Sequence, residues 1–183
     1  LDSLDRVTNR FDVINLLTGY AWRSRFRKTE FAVSSILENI QFNTVEGWNA
    51  GLKLQYSKSY PDRKSWTLSA RGRYGFSNLT FQSVVSARYD FKVKKFAYAM
   101  VEGGRDLFQF DDKNPVSPVI NSFYSLFSEK NYLKLYSKDF AAITVGMEPL
   151  NGIRLYGQLE YANRSATINH TNFKYINRTN HEY

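Results

Sequence analysis

The groups able to do chemistry are few and scattered. Histidine occurs only at His170 and His181, both in the polar C-terminal stretch. Neither has a carboxylate or cysteine partner at ligand spacing, so no metal site is expected. Cysteine is absent, which removes disulfides, thiolate metal sites and thiol nucleophiles. The stretch "GRDLFQFDD" offers Asp106, Asp111 and Asp112, but Phe108 and Phe110 interrupt the regular oxygen spacing that a Ca²⁺ loop needs. It reads as a solvated acidic loop. No phosphate-cradling glycine loop follows a strand, and Gly72 and Gly75 of "GRYG" read as small residues in a wall. Serines are plentiful, yet no nucleophile elbow and no Ser-His-Asp set can be assembled. The expectation is a protein that is not an enzyme and has no cofactor.

What remains is charge and aromatic area, and both depend on the elements that carry them. The 183 residues have a net charge of +8, and 16% are Phe, Tyr or Trp. An anionic partner must be considered for such a chain, against the plainer reading of a solvated basic surface. No apolar run is long enough for a membrane-spanning helix, which says nothing about a barrel. Alternation of period two dominates, in segments of about ten residues. Strands are expected at 12–22, 48–57, 66–76, 79–91, 96–102 and in "DFAAITVGM" and "IRLYGQLEYAN". A helical turn is expected near Phe31 to Ile40, and a tight turn at Ser77 and Asn78. Six or seven antiparallel strands in an up-and-down meander follow.

The strands at 48–57, 66–76, 79–91 and 153–161 each have one uncharged face. On it, aromatic residues stand at the ends with small or aliphatic ones between: Trp48 and Tyr56, Trp66 and Tyr74, Phe81 and Tyr89, each pair eight residues apart. Eight residues span about 26 Å along a strand, or roughly 20 Å along the normal for a tilt of about 40°. That is close to the ~25 Å apolar band between the aromatic girdles of an outer-membrane barrel. A soluble core would place its bulk in the middle, where Ala70, Gly72, Ser83 and Ala87 leave this face thin. With Tyr161, those six aromatics make a candidate membrane girdle.

The opposite face carries Lys53, Arg71, Arg73, Arg88, Asp90, Arg154 and Glu160, a candidate lumen polar network. Its arginines could select anions in a pore, although such residues more often fill a lumen as paired charges. Arginines and aromatics alternate onto opposite faces, so a base could not stack where a phosphate is held, and no nucleic-acid partner is expected.

Between Gly103 and Asp139 lies a connection too long for a hairpin turn. Ser117 and Pro118 read as N-cap and first helical residue, and Val119, Ile120, Phe123, Leu126 and Phe127 recur at helical spacing. One long loop with a short amphipathic helix is expected there. Outer-membrane barrels have long outer loops and short periplasmic turns, which puts this loop outside and the turns at 58–64, 92–95 and 148–152 on the periplasmic side.

"FNTVEGW" (42–48), "FQFDDKNPVSP" (108–118) and "NYLKLY" (131–136), in this order between alternating strands, resemble a family of outer-membrane barrel proteins of unknown function from diderm bacteria. The resemblance implies location and architecture, and it carries no catalytic residue. It also implies an upstream carboxypeptidase-regulatory-like domain, which residues 1–183 do not contain. The expectation is thus part of a single all-β antiparallel up-and-down transmembrane β-barrel domain, cut at both ends. It would reside in the bacterial outer membrane, partnered by lipid and by other envelope proteins, with a non-catalytic role in envelope transport, assembly or surface display. Two alternatives stand beside it: a soluble β-barrel holding an apolar ligand inside, and an outer-membrane barrel hydrolase.

Overall fold

The computed structural model describes residues 5, 9–62, 64–92, 96–111, 116–127 and 131–171. Alternation makes strands throughout: β1 (Tyr20–Ser24), β2 (Thr29–Val33), β3 (Ile40–Asn43), β4 (Gly47–Ser59), β5 (Ser65–Gly75), β6 (Thr80–Lys92), β7 (Ala97–Gln109), β8 (Leu135–Leu150) and β9 (Ile153–Ala166). They form one antiparallel sheet in the order β1-β2-β4-β5-β6-β7-β8-β9. β3 shares an edge of β4 with β2, pairing with Gly47–Ala50 while β2 takes Leu54–Lys58. Nine strands therefore fill eight places across the sheet. β1 and β9 are its unpaired edges, and the sheet is not closed.

The strand number exceeds the six or seven expected, and the difference lies in the N-terminal third. Residues 12–22 are not one strand: helix α1 (Ile14–Thr18) precedes β1, and Gly19 at φ 92° ends it by donating its N–H to Asn15 O. The helical turn expected near Phe31 to Ile40 is only a 3₁₀ turn at Leu37–Asn39, with Phe31 in β2. The turn at Ser77 and Asn78 is wider than expected, running from Phe76 to Leu79.

The long connection is also shorter than expected, because "GGRDLFQ" continues β7 to Gln109 and β8 begins at Leu135. Two consecutive glycines read as a turn, but here the backbone needs them inside a strand. A Cβ on Gly104, at φ 147°, would overlap the Ser83 carbonyl oxygen and come within 2.8 Å of Val84 Cα.

Helix α2 (Pro118–Phe127) forms where Ser117 and Pro118 predict it. It crosses from the β7–β8 end of the sheet to β3, where Phe42 N–H donates to Ser122 Oγ (2.9 Å). The turn between β3 and β4 gathers other segments too. Asn131 Nδ2 donates to Thr44 Oγ1 (2.5 Å), and beyond β9 the His170 and Thr171 N–H groups reach Thr44 O at 2.9 and 3.2 Å. The far edge of the sheet thus curls back toward β3 and β4 at this end. Most of the buried apolar residues sit here, namely Phe42, Val45, Leu126 and Leu133, with Ala142 apart on β8.

Asn121 holds the connection together. Fully buried, it donates to Ser125 Oγ (3.2 Å) and Asn131 Oδ1 (3.0 Å) and accepts from Tyr132 N–H (2.8 Å). Asn121→Ala leaves the partly buried Tyr132 N–H unmet and removes two further hydrogen bonds, and should cost ~1–3 kcal/mol. Limited proteolysis should then cut the 110–134 connection sooner while the strands stay protected.

Candidate functional site

Register decides which side chains share a face. One row across the sheet is Trp22, Phe31, Tyr56, Leu68, Ala87, Val101, Ile143 and Leu159, each directly opposite the next. The row one step over is Arg23, Glu30, Ser57, Thr67, Arg88, Met100, Thr144 and Gln158. Strand pleating sends the two rows to opposite faces.

The apolar face is the exposed one. Leu68 is 45% exposed, Phe81 62%, and Leu159 and Tyr161 80% each. The buried side chains are instead largely polar: Glu46 at 0%, Asn49 at 1%, Gln82 at 3%, Asp106 at 6% and Lys138 at 7%. Soluble folds more often bury the apolar side chains and expose the polar ones.

Besides the pairs Arg23–Glu30 and Arg154–Glu148, three charged groups stand on the polar face. In the first, Arg73 of β5 donates through Nη2 to Asp106 Oδ1 of β7 (2.7 Å) and to Gln82 Oε1 of β6 (2.6 Å). Arg71 pairs with the other oxygen of Asp106. Arg73 Nε is also 3.2 Å from Glu46 Oε1 in the β3–β4 turn, and Asn43 Nδ2 donates to Glu46 Oε2 (2.7 Å). Beside them the Asn49 amide is buried with no hydrogen-bond partner among the described residues. In the second group, Arg88 makes a forked pair with Asp90 (Nη2 to Oδ1 2.8 Å) and lies 4.0 Å over the Tyr98 ring. In the third, Lys138 Nζ donates to both oxygens of Glu160 (3.0 and 2.9 Å) between the Phe108 and Phe140 rings, 4.3 and 4.7 Å away.

The seven residues expected to form one polar network are therefore divided. Arg71 and Arg73 meet through Asp106, Arg88 pairs with Asp90, and Glu160 belongs with Lys138. Arg154 is drawn off to Glu148 at 3.7 Å, and Lys53 has no charged partner among the described residues. Glu46 and Lys138 went unseen in the sequence, and Asp106, expected in a solvated acidic loop, is instead a buried residue of β7. Of the other residues with chemical potential, Asp111 follows β7, while Asp112 and His181 lie outside the described residues.

Burial pushes the Glu46 carboxyl above the usual carboxylate range; Arg73 and Asn43 pull it back, and Asp106 adds to the rise. The native state then holds the Glu46 proton more tightly than the unfolded chain does. Glu46 therefore lowers stability as pH rises from about 4, the ordinary carboxylate value, through its raised one, and the loss is complete above that. Glu46→Gln should remove this slope while Arg73 keeps Asp106. Urea midpoints of the two proteins should agree at the acid end and separate, with the variant more stable, as pH rises.

The residues expected to form a girdle, Trp48, Tyr56, Trp66, Tyr74, Phe81, Tyr89 and Tyr161, all lie on the apolar face, and their levels are ordered. Tyr74 faces Phe81 at one end, while Trp66 faces Tyr89 at the other with ring centroids 4.6 Å apart. Trp48 and Tyr56 of β4 each stand two residues nearer the β3–β4 turn than the aromatics of β5, and Tyr161 of β9 stands four residues the other way from the Tyr74 row. The aromatic levels thus slant across the ladder. One ion pair, Arg105 with Asp139 (2.8 Å), also stands on this face, one row from Tyr161 toward the β7–β8 connection.

The sequence pattern of the C-terminal domain of a family of unknown function (DUF5686) matches residues 14–183. No curated protein and no solved structure matches the chain.

Proposed function

We propose that this chain, which belongs to the DUF5686 C-terminal domain family of unknown function, is wall of a bacterial outer-membrane β-barrel. Its role is non-catalytic, in envelope transport, assembly or surface display. The observation that carries the reading is the inverted burial: Leu68, Phe81 and Leu159 exposed on one face, Gln82, Asp106 and Lys138 buried on the other. Lipid is the solvent in which that arrangement is stable.

The slant of the aromatic levels supports the same reading. Strands in a barrel tilt by 35–45° or so, hence residues at one membrane depth cannot lie on one hydrogen-bonded row. Tyr161 is offset by four residues from the row shared by Tyr74 and Phe81, as a tilt accumulating across several strands would produce. By the same slant the Arg105–Asp139 pair falls at the edge of the band.

The charges on the polar face are mostly neutralised within it, which favours a filled lumen over an anion-selecting one. Backbone groups facing lipid must all be paired, and β1 and β9 run antiparallel to each other. In the barrel they meet directly or through an even number of further strands. A soluble barrel around an apolar ligand would need the apolar face turned inward, where the guanidinium groups of Arg71 and Arg73 instead converge.

The test is folding itself. The chain should fold in detergent micelles, giving a band that shifts on heating before electrophoresis, and should aggregate without detergent. A monomeric folded chain in plain buffer would overturn the reading.

A further inference from the structure

We propose that helix α2 is an interfacial helix, its exposed face lying in the headgroup region of the bilayer that surrounds the sheet. The inference rests on the barrel reading and extends it to the connection between β7 and β8. The spacing of Val119, Ile120, Phe123, Leu126 and Phe127 predicts an apolar stripe, of which only Leu126 is buried. The structure turns that stripe outward: the buried residues of α2 are Asn121, Ser125 and Leu126, while Ile120 is 54% and Phe123 63% exposed. The helix repeats the inversion of the sheet.

Its position explains why lipid is the occupant. Ser122 takes the edge of β3 that faces away from β4. It accepts from Phe42 N–H, and Phe42 O lies within reach of the hydroxyl at 2.9 Å. Phe42 itself shares the apolar face with Trp48, their rings 5.6 Å apart and edge-on. Trp48 is the β4 aromatic at the level of the sheet where the apolar band ends. The exposed face of α2 therefore continues that band past the sheet edge. None of the ten residues of α2 is charged, and Phe123 and Phe127 stack at 6.1 Å. A protein partner would ordinarily find polar or charged groups around such an anchor. An apolar face bordered by ring-bearing residues suits the headgroup boundary, into which interfacial helices sink by about 5–10 Å.

The chain lacks cysteine, so one introduced thiol carries one label. Phe123→Cys, labelled with bimane, is folded into phosphatidylcholine–phosphatidylglycerol vesicles that contain lipid bearing a doxyl quencher either near the headgroup or near the chain end. Leu68→Cys on the apolar face and Ser86→Cys on the polar face serve as references. The label at 123 should lose emission chiefly to the shallow quencher, that at 68 chiefly to the deep one, and that at 86 to neither. Quenching at 68 without quenching at 123 overturns the proposal and leaves the barrel reading standing. No quenching at 68 in the folded, vesicle-bound protein overturns the barrel reading and the proposal with it. Phe127→Cys is read in the same way, so that failure of one variant to fold leaves the proposal testable.

Discussion

Leu68→Arg should cost ~2–4 kcal/mol of membrane stability or abolish insertion outright. Leu68 sits on β5 between Trp66 and Tyr74, opposite Tyr56 on one side and Ala87 on the other, and its side chain is exposed. In lipid that place admits no hydrated guanidinium. A nearer aromatic level gives the long arginine side chain a partial route to water, which sets the lower end of the range. The comparison is Arg71→Leu, three residues along the same strand and on the other face. It removes one of two guanidinium partners of Asp106 and leaves Arg73 in place, a loss of about 1 kcal/mol. Insertion into vesicles, followed by the heat-shifted band, should therefore fail or fall sharply for Leu68→Arg and persist for Arg71→Leu. Equal losses would mean that the two faces have been assigned wrongly. In a soluble fold the order would reverse, since an arginine at an exposed Leu68 would then be nearly neutral.

How far the sequence discloses this arrangement depends on whether a feature is local. The four central strands are local: "WTLSARGRYGF" alternates without a break, and β5 runs over nearly that stretch. The start of the chain alternates nearly as well in "DVINLLTGYAW", yet the first half is helix, because one turn closed by a glycine at positive φ satisfies the same pattern. Period locates a stripe without saying which side of it is wet. For β5 the placement of the aromatics set the expectation that the apolar side faces outward, and its side chains are the exposed ones. For α2 nothing local did, since the burial of Asn121 depends on Asn131 and Tyr132, ten or more residues away.

The charged face was legible by residue type and obscure in its pairing. Arg71 and Arg73 alternate visibly on β5, but their carboxylate is two strands away, beyond Gln82, and reaching it requires the β5–β6 and β6–β7 registers together. The place of Asp106 in a strand was hidden because "GRDLFQFDD" reads as a solvated acidic loop unless the close approach of Gly104 to Val84 is known. Lys138 looked like loop because its carboxylate partner Glu160 and one of the two rings beside it, Phe108, lie on other strands.

Asp106→Ala should be the most damaging change on the polar face, at ~3–5 kcal/mol, because it removes the single carboxylate between two guanidinium groups. Arg71 would lose its ion-pair partner. Arg73, of which only a quarter of the side chain is exposed, would keep Glu46 at 3.2 Å and Gln82. The two cations project from the same face of one strand two residues apart, and without Asp106 their repulsion is offset only by water at the half-exposed Arg71 and by Glu46 at Arg73. The neutral isostere Asp106→Asn separates shape from charge: it fills the same space and can still accept hydrogen bonds, so a cost near that of alanine would assign the loss to charge. Replacing the whole cluster, Arg71→Leu with Arg73→Met and Asp106→Leu, should recover most of the stability lost in Asp106→Ala, as apolar replacement of a buried ion cluster often does. Denaturant unfolding in micelles would measure all three. If the triple variant were as unstable as Asp106→Ala, the cluster would be holding β5, β6 and β7 in register by hydrogen bonds that apolar side chains cannot replace. Neutralisation of charge would then be the lesser part of what Asp106 does.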